Sequence, residues 1–296
     1  MKRPSRAAVV PLLALCVGPA GCDRQAREQA RALTATVEQA LRPPFFVTAL
    51  RKMGGGHFHG TARFAVTPEG DSSDAVTTTT DVWLDREGNY RLLESNDRDG
   101  GREVILYGRE LAVALRYGKM IRRVAEDPEP TQLLEEALGG PWAAWEVVAS
   151  GALIQSGSPQ LVGGASAAQY RIAKDDVPQP PPDDLPALRR WRGTVTIAEL
   201  LGEVLIDERS GALVKADLQS AFTLTEDKRP MKGAIDVHAT VSDAAAVPPI
   251  ARPVAEELTL RQRIVPEQKE MLRGLGGRVP PPPAPPPAKK KKGRRP

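Results

Sequence analysis

Two long alternating segments in the second half of the chain constrain its fold most strongly. In residues 212–225 every second side chain, ending with Phe222 and Leu224, is small or apolar, and the positions between them are mostly polar. Residues 233–241 repeat this pattern, with Ile235 and Val237 on the apolar side. Such alternation predicts strands with one buried face. Strands of nine to fourteen residues with this pattern indicate a large, curved antiparallel sheet.

Shorter alternating segments predict the rest of the sheet. They are residues 61–66, 76–84, 90–95, 104–107, 111–117, 168–173, 192–198 and 202–207. Short polar turns join most of them, and Gly108-Arg109 between two of them is typical of a tight hairpin. Consecutive strands with such turns form an antiparallel meander. With two or three helices beside nine or ten strands, we predict a single α+β domain.

Two regions have helical periodicity. Residues 24–41 place small and apolar side chains, among them Leu33 and Val37, on one stripe, which predicts an amphipathic helix that ends before Pro43 and packs on the sheet. Residues 131–148 predict a second helical region with Thr131 as its cap and a break at residues 139–141. We interpret this second region as a plug on the core, with a ligand-lining role as the alternative.

The N-terminus carries an export signal. Lys2, Arg3 and Arg6 precede an apolar run over residues 7–17, which is too short to span a bilayer. The small residues that follow, up to Cys22, resemble the lipobox of bacterial lipoproteins. The resemblance implies that Cys22 becomes a lipidated mature N-terminus. Cleavage after Ala20, which would release a soluble protein, is the alternative.

Charge is concentrated at the two ends of the chain. Nine of the 41 Lys and Arg residues lie there, and the remaining 32 stand against 37 Asp and Glu, so residues 23–288 carry about −5. This balance argues against a nucleic-acid partner. The final basic cluster, beyond the proline-rich residues 280–287, predicts a disordered tail able to contact an anionic envelope surface. Its members are Lys289, Lys290, Lys291, Lys292, Arg294 and Arg295.

Motifs for catalysis, metal binding or a cofactor are not found in the sequence, so we predict a non-enzymatic protein without metal or cofactor. His57 and His59 share one face of a strand, but two histidines without a third ligand predict exposed side chains. The better functional candidate is the apolar sheet face with the helices beside it. The candidate cavity residues are Phe64, Val82, Leu134, Leu138, Trp142, Trp145, Leu218, Phe222, Ile235 and Val237.

Two turn segments carry a family resemblance. Residues 81–92, with an acidic turn from Asp85 to Asn89, and residues 205–215, with the turn from Asp207 to Gly211, resemble the superfamily of periplasmic lipoprotein carriers and outer-membrane lipoprotein receptors. The resemblance implies an incomplete β-barrel with an N-terminal helix and helices packed on its concave face, over an apolar cavity for acyl chains.

Together these features predict a membrane-anchored envelope lipoprotein that faces the periplasm and binds a lipid, a lipopeptide or another apolar ligand. A structural or assembly lipoprotein with a solid core, acting through surface and tail contacts, is the alternative. The predicted segments are a signal peptide (1–21), a lipoprotein-carrier-like half-barrel (22–252), a helical extension (253–279) and a disordered tail (280–296).

Overall fold

The computed structural model describes residues 19–68, 75–178, 187–226 and 228–257, with the backbone alone for residues 19–28 and 187–188. The α-helices are α1 (Pro19–Leu41), α2 (Pro43–Lys52), α3 (Glu129–Ala137) and α4 (Gly140–Val148). The strands are β1 (Gly56–Pro68), β2 (Val76–Leu84), β3 (Tyr90–Asn96), β4 (Gly101–Tyr107), β5 (Glu110–Leu115), β6 (Ile121–Val124), β7 (Ala152–Ser156), β8 (Gln160–Val162), β9 (Ala165–Lys174), β10 (Thr196–Asp207), β11 (Leu213–Glu226), β12 (Arg229–Ser242) and β13 (Glu256–Glu257).

All thirteen strands belong to one open sheet. Its order is β13-β6-β5-β4-β3-β2-β1-β12-β11-β10-β9-β7, and β8 pairs with β9. The first six strands and the strands from β7 to β12 form two meanders, and the antiparallel pairing of β1 with β12 joins them. Strands β13 and β7 end the two open edges. The predicted α+β fold, a single curved antiparallel sheet in an incomplete barrel, is therefore confirmed.

The alternating sequence pattern predicts the long strands but not the short ones. Strand β2 has the predicted bounds, and β11 and β12 contain the two long alternating segments. Strands β6, β7, β8 and β13 are two to five residues long and were not predicted. A segment this short contains too few positions to establish an alternation, so its strand structure depends on a neighbouring strand.

Two predicted boundaries are wrong. The strand predicted over residues 192–198 begins at Thr196, because residues 187–194 form a 3-10 helix, and it continues through the separately predicted strand 202–207 as the single strand β10. Thr131 is not a helix cap, since α3 already begins at Glu129 and has Pro130 in its first turn. Proline fits there because the first helical N–H groups have no partner within the helix.

Helix α2 was not predicted. Pro43 ends α1, as expected, but it also begins α2, whose residues Phe46 and Leu50 are completely buried. Gly54 and Gly55 then turn the chain into β1 with φ of 81° and 90°. A Cβ on Gly55 would lie 2.1 Å from the carbonyl oxygen of Leu84, so this tight turn requires glycine. Gly54 and Gly55 therefore form a tight, defined turn.

The alternation of side chains divides the sheet into two faces. We call the face covered by helices the inner face and the opposite one the outer face. On β12, Ile235 and Val237 are buried on the inner face, and Asp236 and His238 lie on the outer face. The apolar side chains of the helices and of the inner face form one continuous core.

The described residues up to Glu256 belong to one compact unit, and a second unit begins at Glu257. The predicted helical extension lies outside the described residues except for its first five, which are not helical and include β13. Residues 1–18 of the predicted signal peptide and the whole tail also lie outside, whereas its last three residues and Cys22 are described by their backbone alone, within α1. None of the helices in the described part of the chain has the length and apolarity needed to cross a membrane.

Candidate functional site

The ten candidate cavity residues come together in one apolar cluster between the inner face and the helices. Eight are buried: Val82, Leu134, Leu138, Trp145, Leu218, Phe222, Ile235 and Val237. Phe64 and Trp142 are partly buried and pack against the same cluster. The strand and helix periods alone therefore identified side chains that pack together, although they come from four strands and two helical segments.

Helices α3 and α4 form what we call the α3–α4 cover, residues 129–148. Helix α4 packs on β1, β11 and β12, and α3 packs on β3 and α2. Leu134, Leu138 and Trp145 project from the cover into the core and are at most 1% exposed. Each helix has nine residues, too few to be stable in water by itself. The cover therefore depends on its contact with the sheet.

Few polar contacts interrupt this apolar layer. The indole N–H of Trp145 lies 3.4 Å from the Glu38 carboxylate of α1, and the hydroxyl of Tyr90 donates a hydrogen bond of 2.8 Å to the carbonyl of Pro130. Burial raises the pKa of Tyr90, so the hydroxyl keeps its proton. Each of these two groups attaches the cover by one hydrogen bond, and the rest of its centre is held by apolar packing.

Ion pairs surround the apolar centre of the cover. Glu146 of α4 is held by Arg192 at 2.6 Å and by Arg189 at 2.7 Å, both from the 3-10 helix before β10. On α3, Glu136 lies 3.6 Å from Arg102, and Glu129 pairs with Arg123. These pairs lie at the rim and are partly exposed, so each one contributes little by itself.

The two voids described beneath the cover, where the sequence predicted an apolar cavity, are small. One void of about 20 Å³ lies between Pro141 and the inner face near Phe58, and another of about 10 Å³ lies beside Trp145. Each can hold about one water molecule, whereas sites for small ligands occupy roughly 300–1,000 Å³. The structure therefore shows the space beneath the cover in a closed, packed state.

Three further residues of the apolar cluster were not among the ten predicted cavity residues. Phe46 and Leu50 of α2 and Phe58 of β1 are at most 1% exposed, and the rings of Phe46 and Phe58 meet edge to face at 5.8 Å. A usable signal was present, because Pro43-Pro44 followed by apolar residues at helical spacing indicates a helix start. The same prolines also mark the end of α1, and that is the only role predicted for them from the sequence.

The two motif turns are organised by buried aspartates. Asp85 accepts hydrogen bonds from the backbone N–H groups of Asn89, at 2.8 Å, and of Ile250, at 3.0 Å. Asp207 accepts them from Arg209 and Ser210. Burial works to raise the pKa of Asp207, but the hydrogen bonds from Ser210 and Arg209 outweigh it and lower the pKa. Both turns are structural elements at the ends of strands.

The histidines lie on the outer face. His57 and His59 lie 3.0 Å and 2.9 Å from the same oxygen of Asp81, and His57 also stacks on Trp83 with ring centres 4.7 Å apart. His57 is less exposed than predicted, because Trp83 and Asp81 cover it. Within the described ranges, no group of three or more His, Cys, Asp or Glu side chains is arranged to hold a metal ion.

A second charged cluster crosses the outer face from β10 to β12. Lys215 lies 3.1 Å from Glu203 and 2.6 Å from Asp217, and His238 lies 2.9 Å from both Asp217 and Asp236. The hydrogen bond to Asp217 is the main cause of the raised pKa of Lys215 and also of that of His238. The charges of this cluster are thus paired with one another.

No family model matches the sequence, and no curated protein gives a significant match. Solved structures do resemble it. The lipoprotein LppX of Mycobacterium tuberculosis is 16% identical over 75% of this chain and 98% of its own, with a TM-score of 0.30. LprF of Mycobacterium bovis is 15% identical over 73% and 95%, with a TM-score of 0.29. A LolA superfamily protein of Nitrosomonas europaea is 10% identical over 71% and 92%, with a TM-score of 0.22.

One of these proteins is a lipoprotein, and another belongs to the LolA superfamily. With TM-scores of 0.30 and below, they carry no information about the ligand or partner of this chain. Those must be inferred from its own residues.

Proposed function

We propose that this protein is a non-enzymatic envelope lipoprotein, anchored by a lipid on Cys22, that binds an acyl chain or another apolar ligand between the inner face and the α3–α4 cover. The observation that carries the proposal is the construction of the cover. Its centre is apolar, with Leu134, Leu138 and Trp145 buried, and its ion pairs lie at the rim. A ligand that displaces the cover meets an uninterrupted apolar surface.

Apolar contacts are not directional, so an acyl chain can replace the side chains of the cover against the sheet with little loss of interaction. The Gly139-Gly140 junction between α3 and α4 lets the two helices move separately. The closed structure, with voids of about 20 and 10 Å³, is in this proposal the state without ligand. Binding opens the cover and breaks ion pairs that contribute little individually.

Uptake of a fluorescent fatty acid tests this function. We expect saturable binding by the wild-type protein and a lipid adduct in native mass spectrometry. Glu146→Gln removes the carboxylate that holds two arginines at the rim, so uptake becomes faster. Glu135→Gln is the matched control, because it makes the same change on the cover at a residue that has no ion pair among the described side chains.

The alternative function is that of a structural or assembly lipoprotein, and the packed interior favours it. A core with voids of one water molecule is what a solid scaffold requires. If purified protein carries no lipid and neither the wild type nor Glu146→Gln takes up the fatty acid, the scaffold function replaces the carrier function.

Membrane anchoring is tested separately. We expect Cys22→Ser to move the protein from the membrane fraction to the soluble fraction of the envelope, without a change in its unfolding midpoint. Membrane retention of Cys22→Ser would contradict lipid anchoring through this residue and leave cleavage after Ala20 as the alternative.

The basic tail is proposed to contact an anionic envelope surface. Its six Lys and Arg side chains follow the proline-rich residues 280–287 and contribute about 1 kcal/mol each near such a surface. Deletion of residues 289–296 should weaken binding to vesicles of anionic lipid at low salt. Unchanged binding would remove the tail from the proposed function.

A further inference from the structure

A second concave region lies on the outer face, away from the cover. This outer groove has a volume of about 530 Å³ and crosses strands β7 and β9 to β12. It is lined by Gln155, Arg171, Ile172, Ala173, Leu201, Gly202, Glu203, Lys215, Asp217, Leu218, Gln219 and His238. The size is that of a site for a small molecule, and most of these side chains are polar, unlike those beneath the cover.

The strand register arranges the polar lining in a single row. Gln155 of β7 is opposite Arg171 of β9, which is opposite Glu203 of β10, and the row continues through Asp217 to His238. Side chains directly opposite one another on the same face interact most strongly. An ion pair between Arg171 and Glu203 is therefore expected from the register alone.

That ion pair is not formed, and the carboxylate of Glu203 is held by other donors instead. One of its oxygens accepts a hydrogen bond of 2.5 Å from Gln169, and the other accepts one of 3.1 Å from Lys215. Asp217 is likewise held by Lys215 and His238. Arg171 is exposed, and no carboxylate lies within ion-pair distance of it in the described part of the chain.

The groove is open beside the guanidinium of Arg171, and an exposed apolar side chain lies next to this opening. The next outer-face position on β9 is Ala173, whose small side chain leaves the groove open there. Leu201, which is opposite Ala173 on β10, is 69% exposed. The open part of the groove thus combines one cation without a partner and one exposed apolar side chain.

We propose that the outer groove binds a small organic anion, with its carboxylate or phosphate group on the guanidinium of Arg171 and its apolar part against Leu201. The planar guanidinium can donate two parallel hydrogen bonds to such a group. Both ring nitrogens of His238 lie 2.9 Å from carboxylate oxygens of Asp217 and Asp236, so the charge of a protonated His238 is compensated and the guanidinium of Arg171 is the group offered to the anion. This site is independent of the proposed acyl-chain site on the inner face.

Calorimetric titration of the full-length protein with octyl phosphate and with inorganic phosphate tests the proposal. We expect Arg171→Gln to weaken binding of both probes by about tenfold or more, because charge-assisted hydrogen bonds are lost. Arg63→Gln is the matched control: Arg63 is an exposed arginine on the outer face of β1 that does not line the groove. It should leave both affinities unchanged.

The two probes also separate the sources of the anion. Tighter binding of octyl phosphate, lost in Leu201→Ser, indicates a lipid headgroup or another amphiphile, and equal binding of both probes indicates a free phosphate or small acid. Octyl phosphate could also enter beneath the cover. Weaker binding in Arg171→Gln identifies the outer groove as the site measured, whereas unchanged binding identifies a site elsewhere. Absence of binding by the wild type, or equal losses in Arg171→Gln and Arg63→Gln, would overturn the proposal.

Discussion

The two faces of one sheet differ in how their side chains interact. On the inner face, the contacts of apolar residues such as Val82 and Val237 do not depend on direction, so any apolar group of similar shape can replace their partners. On the outer face, Lys215, Asp217 and His238 form contacts with defined distances and partners. The inner face therefore suits an apolar ligand without a fixed shape, and the outer face suits a ligand with a charged group. Four substitutions test this difference, beginning with the one that should change stability most.

The largest effect is expected for Trp145→Ala on the inner face. The side chain is 1% exposed, and its removal leaves a cavity beneath the cover. We expect the free energy of unfolding to fall by about 3–5 kcal/mol, measured by urea denaturation. Trp83→Ala on the outer face is the control and should cost about 1 kcal/mol or less. Similar losses for both would show that the inner face does not dominate stability.

An intermediate effect is expected for Tyr90→Phe. This change removes the hydroxyl that donates to the Pro130 carbonyl and leaves that buried acceptor without its donor. We expect a loss of about 1–2 kcal/mol in the same denaturation experiment. If the proposed opening of the cover is correct, fatty-acid uptake should also become faster. A stability equal to that of the wild type would mean that water replaces the lost donor.

A smaller effect is expected for Lys215→Met on the outer face. Lys215 contacts Glu203 and Asp217, but its side chain is 36% exposed, so solvent screens the interaction. We expect a loss below about 1 kcal/mol, and less still at ~1 M salt, where the screening length is about 3 Å. The Trp145→Ala penalty should change little with salt. A salt-independent loss for Lys215→Met would contradict an electrostatic role.

The smallest effect is a pH dependence from His238. Asp217 and then Asp236 raise its pKa above the usual 6.5, while burial opposes them. A raised folded-state pKa gives stability that is fully present below about pH 6.5 and is lost as the pH rises through the folded-state value. Unfolding of the wild type should therefore become slightly easier over that range. His238→Gln should remove this slope, whereas Thr240→Val, a neighbouring outer-face change, should keep it.

Long-range pairing limited what could be predicted. The alternation in β2, β11 and β12 identified inner-face residues correctly, because the period of two is a local property of a strand. The pairing of β1 with β12 joins segments about 180 residues apart and has no local signal. Helix α2 was missed although its signal was present, because a proline that ends one helix can also begin the next.

The antiparallel sheet, the grouping of ten apolar residues and the separation of apolar and polar faces follow from local sequence patterns. Tertiary contacts are needed to show that the space beneath the cover is packed, because its volume depends on side chains from α2, α3 and α4 that fit against distant strands. They are also needed to show that Arg171 lies beside an open groove, whereas Gln169 and Lys215 hold the carboxylate of Glu203. Local periodicity indicates on which face of the sheet a residue lies. Tertiary packing determines how much space surrounds that residue and which side chains contact it.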